Sequence, residues 1–224
     1  MNYIKITKDN IEKEHICCAM SGKQSLAKKE WMKQRFSEGL VFYRSEERGK
    51  CFIEYIPAEN AWVPIKADGY IYINCLWIAG SMKGHGYSND LLDECIGDAK
   101  LQGKKGVCIL SSVGRKREFL SDPKYMAYKG FAVADTSDCG INLMYLPFDP
   151  NFAPPKFKEA AKHPQGGGKR FCALLYRSMP VYLLLGAACA GGGKGTRNFF
   201  KGDSHYKQGR GAERTRSCYN ICVV

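Results

Sequence analysis

The segment Ile73–Leu92 (INCLWIAGSMKGHGYSNDLL) constrains the fold of this chain more strongly than any other stretch. An apolar run, Tyr70–Ala79, leads into a turn with three glycines, and an amphipathic helical pattern follows the turn. Backbone N–H groups at the start of a helix lack partners and carry partial positive charge, so they suit a phosphate group. Glycines allow the backbone of such a turn to approach an anion closely. The segment therefore predicts a buried strand, a phosphate-binding loop and a helix that opens at Ser88.

The other patterns in residues 1–148 alternate between strand and helix. Alternating or short apolar runs predict strands, and stretches rich in Lys, Glu and Ala predict helices. One helix is predicted to start at a Ser25 cap and to end at Gly39, and another to span Phe119–Lys129. This order favours an α/β (α+β) fold, with a mixed sheet flanked by helices. The predicted strands are Tyr3–Thr7, Leu40–Tyr43, Cys51–Ile56, Tyr70–Ala79, Gly106–Ser111, Phe131–Asp135 and Ile141–Leu146.

The net charge of +12 is concentrated at the C-terminal end of the chain. Residues 165–224 carry ten Lys or Arg, two Asp or Glu, and eleven of the 24 glycines. The first 164 residues are only mildly basic, with a net charge of +4. Because the excess charge is confined to an unusual tail, it does not argue for nucleic-acid binding, and no nucleic-acid partner is expected.

The eleven cysteines include no CxxC pair, so no metal site is predicted. An odd number of cysteines without a secretion signal indicates reduced thiols. No apolar run reaches the roughly 20 residues that a membrane span requires. The N-terminal segment MNYIKITKDN lacks the apolar core of a signal peptide. We therefore expect a cytoplasmic protein without a membrane partner.

The glycine turn resembles the acyl-CoA-binding motif of the GNAT superfamily of N-acetyltransferases, Q/R-x-x-G-x-G/A. Lys83 stands at the Arg or Gln position, and Ser88 at the final Gly or Ala position. The resemblance covers about residues 1–148 and implies a GNAT-type, mostly antiparallel mixed sheet, in which the strands before the loop and after the helix splay apart. It also implies that acetyl-CoA is the co-substrate, with its pantetheine arm paired to the backbone of Ile78 like an added strand. The cofactor-binding residues that it implies are Ile78, Lys83, Gly84, His85, Gly86, Tyr87 and Ser88.

A second motif of the superfamily, F-Y-x-x-x-G-F, is similar to residues 125–131 (YMAYKGF). The Gly-Phe ending matches, but the tyrosine that protonates the departing CoA thiolate in many members falls on Met126. The resemblance therefore leaves Tyr125 or Tyr128 to replace it, and Tyr125 is the candidate general acid. The alternative is that both tyrosines only pack or form structural hydrogen bonds.

Glu54, in the otherwise apolar strand CFIEYI, is the candidate general base, and an outward-facing glutamate is the alternative. The resemblance thus implies transfer of an acetyl group from acetyl-CoA to the amine of a small molecule or a peptide. A non-catalytic acyl-CoA-binding module is the second hypothesis, and Met126 is the residue that favours it. The sequence does not determine the acceptor or the oligomeric state.

Three regions are predicted: a catalytic domain at 1–148, a proline-rich linker at 149–164, and a poorly structured tail at 165–224. The tail lacks sustained periodicity. Regrouping plausible codons one base later over Phe171–Tyr182 and Gly211–Val224 yields segments similar to the thioredoxin-like C-terminal domain of YoaP-like acetyltransferases, a group of GNAT proteins. We therefore predict that the tail is an out-of-frame remnant of that domain, displaced by a one-base slip near Gln165–Gly168.

Overall fold

The computed structural model of the protein describes residues 1–16, 22–47, 49–114 and 120–163. Its strands are Tyr3–Lys5 (β1), Val41–Ser45 (β2), Cys51–Pro57 (β3), Ile65–Lys66 (β4), Tyr70–Ile78 (β5), Gly106–Ser112 (β6), Ala132–Ser137 (β7), Ile141–Pro147 (β8) and Lys156–Phe157 (β9). Its helices are Gly22–Arg35 (α1), Tyr87–Leu101 (α2), Pro123–Tyr128 (α3) and Glu159–Lys162 (α4). The tail from residue 165 onward, and the frame slip predicted for it, lie outside the described residues.

The main sheet has seven strands in the order β1-β2-β3-β5-β6-β8-β7. Only β5 and β6 among these neighbours are parallel. A parallel pair needs a long crossover, and the crossover here is α2. The predicted mixed, mostly antiparallel sheet flanked by helices is confirmed.

The sheet is buried on both faces because its central strands carry apolar residues in both orientations. On one face, Ile53 and Ile71 pack in a common cluster with Leu92 of α2. On the other face, Phe42 and Phe52 stack with ring centroids 5.1 Å apart, in a cluster that includes Met32 of α1. We call these the α2 face and the α1 face of the sheet.

The predicted helix boundaries are partly correct. Gly39 has a φ of 87° and follows the 3-10 turn that ends α1, so the predicted stop is confirmed. Ser25 does not cap α1, because the helix already begins at Gly22 and Ser25 lies inside it. Ser88 does not cap α2 either: the cap is Gly86, with a φ of 81°, and the helix begins at Tyr87. A left-handed glycine replaces the serine as the entry to that helix.

A row of tyrosines from three neighbouring strands fastens α2 to the sheet. The carboxylates that they contact recur every four residues along the helix, which places them on one side of it. Burial and the adjacent Glu94 carboxylate raise the pKa of Tyr43 to about 12. These contacts hold the helix whose first turn faces the glycine loop. The pairs are Tyr3 with Asp90, Tyr43 with Glu94, and Tyr55 with Asp98.

Residues 149–163, expected from their prolines to be a linker, contact the sheet through β9 and α4. β9 pairs with β4 in a second, two-stranded sheet. Phe157 and Ala161 are buried in the core cluster of the α1 face that includes Tyr70 and Leu143. Asp138 N–H donates to Lys162 O at 3.0 Å. We call residues 149–163 the C-terminal strap.

Candidate functional site

A cleft opens where β5 and β6 separate. The two strands pair only over Tyr70–Ile73 and Gly106–Ile109, although β5 continues to Ile78 and β6 to Ser112. Beyond this point no described strand pairs with the β6-facing edge of β5. The departure coincides with a bulge in the pairing of β5 with β3, where Asn74 is the extra residue. The sheet therefore offers an unpaired strand edge at its centre, as the predicted splay requires.

The backbone of Ile78 is directed toward this open edge. Ala79 N–H donates to Lys50 O at 2.8 Å, on the side occupied by β3. Backbone groups alternate between the two edges of a strand, so the N–H and C=O of Ile78 point away from β3. An extended ligand in the cleft would find these groups available for strand-like pairing.

The opposite wall of the cleft is the end of β6 together with the start of α3. Ser121 forms a parallel bridge with Ser111, and its N–H donates to Leu110 O at 3.2 Å. Because β8 occupies the other edge of β6, Ser121 takes the edge that β5 has left. The next residue, Asp122, caps α3 by accepting from Lys124 N–H at 2.9 Å. The bridge between Ser121 and Ser111 therefore places the start of α3 beside the cleft.

The glycine loop lies at the end of β5, where the open edge meets the first turn of α2. Gly80, Gly84 and Gly86 all have positive φ values, of 63°, 85° and 81°. A Cβ at Gly80 or Gly84 would meet no atom within 4 Å, so these positions favour glycine for backbone conformation rather than for space. The loop is exposed, and it connects to the core through Met82, which is 8% exposed.

The side chains of the loop are accessible to a ligand. Lys83 and His85 are exposed, and Ser88 is half-buried in the first turn of α2. The rings of His85 and Tyr87 stack with centroids 5.3 Å apart. The structure thus brings Ile78, Lys83, Gly84, His85, Gly86, Tyr87 and Ser88 into one continuous segment at the end of the cleft.

α3 places its two tyrosines differently. Tyr125 packs against the core of the α2 face, and its hydroxyl is buried without a hydrogen-bond partner among the described residues. Tyr128 is 82% exposed. Met126, at the position of the family's tyrosine, is completely buried in the same core. Of these three residues of α3, Tyr125 is the one with a buried hydroxyl, because Tyr128 is exposed and Met126 has no hydroxyl.

Glu54 lies on the α1 face and is 1% exposed. One carboxylate oxygen forms an ion pair with Lys28 Nζ at 2.7 Å, and the other accepts from Asn74 Nδ2 at 2.9 Å. Lys28 neutralises a charge that would be costly to bury alone. Both oxygens are therefore occupied, and Glu54 reaches the cleft through Asn74.

Sequence reasoning missed Lys28 and Asn74 as members of the site. Lys28 lies in a lysine-rich helical stretch typical of a solvated face, yet its side chain is 3% exposed. Asn74 gave a usable signal, because asparagine is uncommon inside an apolar strand and often marks an irregularity such as a bulge.

The residues that the structure describes contain no group of three or more His, Cys, Asp or Glu side chains able to hold a metal ion. None of the helices in the described ranges is both long and apolar enough to cross a membrane.

The sequence is 48% identical over 167 residues to a protein of Bacillus subtilis (strain 168) named uncharacterized N-acetyltransferase YoaP. The match takes in 72% of this chain and 66% of YoaP, so the chain spans about two thirds of that relative's length. No family model matches the sequence.

Two solved structures of proteins named as acetyltransferases match about two thirds of this chain. The ribosomal-protein-alanine N-acetyltransferase of Brucella melitensis covers 66% of this chain and 100% of its own, with a TM-score of 0.48 and 13% identity. The Salmonella typhimurium protein yncA, solved with its cofactor acetyl-CoA, covers 68% and 96%, with a TM-score of 0.46 and 16% identity.

The identity to YoaP over so many residues establishes the family. The chain belongs to the GNAT superfamily of N-acetyltransferases. Within that superfamily it is similar to YoaP, which agrees with the predicted resemblance to YoaP-like acetyltransferases.

Proposed function

We propose that this chain is an acyltransferase that moves an acetyl group from acetyl-CoA to an amine. The observation that carries the proposal is the open β6-facing edge of β5, which ends at the glycine loop and the first turn of α2. An extended pantetheine arm fits the open edge, and a pyrophosphate fits the loop. The relationship to a protein named an N-acetyltransferase supports the same activity.

In the proposed reaction, the neutral amine nitrogen attacks the thioester carbonyl carbon, and the C–S bond breaks. The nitrogen loses a proton, and the CoA thiolate gains one. A backbone N–H on the open edge would polarise the carbonyl oxygen. Holding the two reactants together supplies much of the rate enhancement. Few side chains are therefore required.

Tyr125 is the proposed donor of the proton to the thiolate. Its hydroxyl has no hydrogen-bond partner among the described residues, and Ser121 joins the start of its helix to the end of β6 beside the cleft, so its proton is free for a sulfur atom there. Glu54 is the proposed general base that accepts the proton from the amine. Since Lys28 and Asn74 occupy its oxygens, this transfer would run through a water molecule rather than by direct contact.

The cofactor site can be tested by calorimetric titration of acetyl-CoA into the full chain and into a Gly86→Glu variant. The substitution adds a negative charge at the helix entry and forces a side chain into a positive-φ position. We expect saturable binding by the wild type and a loss of at least tenfold in affinity in the variant.

The matched control is Gly97→Glu, which places the same charge on the same helix. A Cβ at Gly97 meets nothing within 4 Å, and its φ is not positive. This variant should bind acetyl-CoA as the wild type does. Equal losses in both variants, or no binding by a folded wild-type chain, would overturn the proposal.

A non-catalytic acyl-CoA-binding module is the second candidate, and the completely buried Met126 favours it. An assay for acetylated products across a panel of amines separates the two functions. Binding of acetyl-CoA without turnover of any amine would favour the module.

A further inference from the structure

Four side chains on the α1 face form a continuous chain of contacts that leads to the cleft. Lys28 Nζ lies 4.1 Å from the ring centroid of Trp31, and it forms the 2.7 Å ion pair with Glu54. Glu54 in turn accepts the 2.9 Å hydrogen bond from Asn74. Two helical residues of α1 are thereby linked to two residues of the central strands.

Each end of this chain carries a buried polar atom without a hydrogen-bond partner among the described residues. The atoms are Trp31 Nε1, a donor, and Asn74 Oδ1, an acceptor. Buried polar atoms are almost always paired, because leaving them unpaired costs free energy. One unpaired donor and one unpaired acceptor on the same polar chain indicate a ligand that carries both complementary groups.

The orientation of the Asn74 amide follows from its partner. An ionised carboxylate only accepts hydrogen bonds, so the NH2 group must face Glu54 and Oδ1 must face away from it. Lys28 supports this arrangement by keeping the buried carboxylate paired with a cation. Besides the proposed role of Glu54 as the base, the Glu54–Lys28 pair therefore also positions the acceptor oxygen of Asn74.

Asn74 stands at the point where the open edge of β5 begins. It is the bulge residue directly after Ile73, the last β5 residue paired with β6. The thioester of acetyl-CoA is proposed to lie along this edge, so a group held by Asn74 would be next to the reacting carbonyl.

We propose that Asn74 Oδ1 and Trp31 Nε1 bind the acceptor, an amine that also carries an uncharged carbonyl oxygen. This inference rests on the proposed function. Asn74 accepts a hydrogen bond from the amine N–H and directs the nitrogen lone pair toward the thioester. Trp31 donates to the carbonyl oxygen of the same molecule. Aminoacyl amides and the N-termini of peptides have this combination of groups.

The charges around the chain favour a neutral oxygen over a carboxylate. Of the described cations that contact Trp31, Lys28 is paired with Glu54 and Arg35 with Glu38. Both cations are thus already paired with carboxylates of the protein. Burying the free carboxylate of an acceptor beside them would cost the desolvation energy of that carboxylate. A free amino acid should therefore be a poorer acceptor than its amide.

The test uses the full chain and three amines: L-leucinamide, L-leucine, and 3-methylbutylamine, which lacks the carbonyl group. Acetylated products are quantified by mass spectrometry, and acetyl-CoA affinity is measured separately by calorimetry. Trp31→Phe keeps an aromatic ring but removes the N–H donor. It should lower kcat/KM for L-leucinamide about tenfold, the usual effect of one hydrogen bond, and leave that for 3-methylbutylamine within about twofold.

Asn74→Leu, a substitution of similar size, should lower kcat/KM at least tenfold for both amines, because both present the N–H group. Acetyl-CoA affinity should stay within about twofold of the wild type in both variants. The control is Tyr128→Phe, which alters an 82% exposed ring on α3 and should leave kcat/KM for both amines unchanged.

Three results would overturn the inference. These are an equal effect of Trp31→Phe on L-leucinamide and 3-methylbutylamine, no effect on either, or acetyl-CoA binding by the wild type without acetylation of any of the three amines. In each case the cofactor site itself remains supported. If the folded wild-type chain does not bind acetyl-CoA, the proposed function is refuted, and this inference is refuted with it.

Discussion

Two tyrosines in one short helix have the same chemistry and different surroundings. Tyr125 is partly buried with an unpartnered hydroxyl, whereas Tyr128 is 82% exposed. A buried hydroxyl without a partner costs folding free energy, so its presence here indicates a role with a ligand.

At this scale, Tyr125→Phe is predicted to lower kcat roughly 100-fold, the lower range for loss of a general acid. Acetyl-CoA affinity should not change, and the unfolding midpoint should not fall, because no hydrogen bond within the described residues is lost. The measurements are steady-state kinetics with the best amine, calorimetry and thermal unfolding. Tyr128→Phe is the matched control and should behave as the wild type; similar losses in both variants would contradict the assignment.

At the scale of elements, the C-terminal strap is fastened to β7 by Asp135. Its carboxylate forms an ion pair with Lys162 at 2.8 Å and accepts from Phe157 N–H at 3.0 Å. Burial tends to raise the pKa of Asp135, but the hydrogen bonds from Lys162 and from the backbone of Phe157 and Thr136 outweigh it and lower the pKa.

A carboxylate with a lowered folded-state pKa stabilises the fold at pH values above its ordinary pKa of 3.8 and loses this effect as the pH falls through the lower folded value. We predict that Asp135→Asn reduces the stability measured by urea unfolding at pH 7. The difference from the wild type should shrink below about pH 4.

The neighbouring Asp138 offers the control, because its contact with His163 is 2.9 Å long but joins two exposed side chains. Asp138→Asn should have little effect on stability at pH 7, as is usual for exposed ion pairs. A loss in Asp138→Asn as large as that in Asp135→Asn would show that the strap is not fastened through Asp135.

At the scale of the whole molecule, the composition divides at about residue 164. The mildly basic part before it supplies the described fold, and the Gly- and Arg-rich part after it supplies most of the net charge. The hypothesis that residues 165–224 are out of frame concerns a region outside the described residues and stays a prediction.

Reading the coding DNA tests it directly. We expect that a shift of one base near codons 165–168 opens a frame that encodes a strand followed by a cysteine-proline turn. Codons in this region that cannot yield the shifted sequence would contradict the hypothesis.

The sequence by itself determined the local elements of this protein. The apolar run into the glycine turn predicted β5, the loop and α2, because strand alternation and positive-φ glycines are properties of neighbouring residues. Gly39 predicted the end of α1 for the same reason. The motif in the loop was specific enough to indicate the superfamily before any contact was known.

Only the tertiary structure decided which side chains share a site. The ion pair of Lys28 with Glu54 joins α1 to β3. Asn74 donates to Glu54 from the bulge in the pairing of β5 with β3. The proline-rich segment similarly packs on the sheet through β9, although its composition is typical of a linker. Such contacts depend on the register and packing of elements that are distant along the chain, which local patterns do not encode.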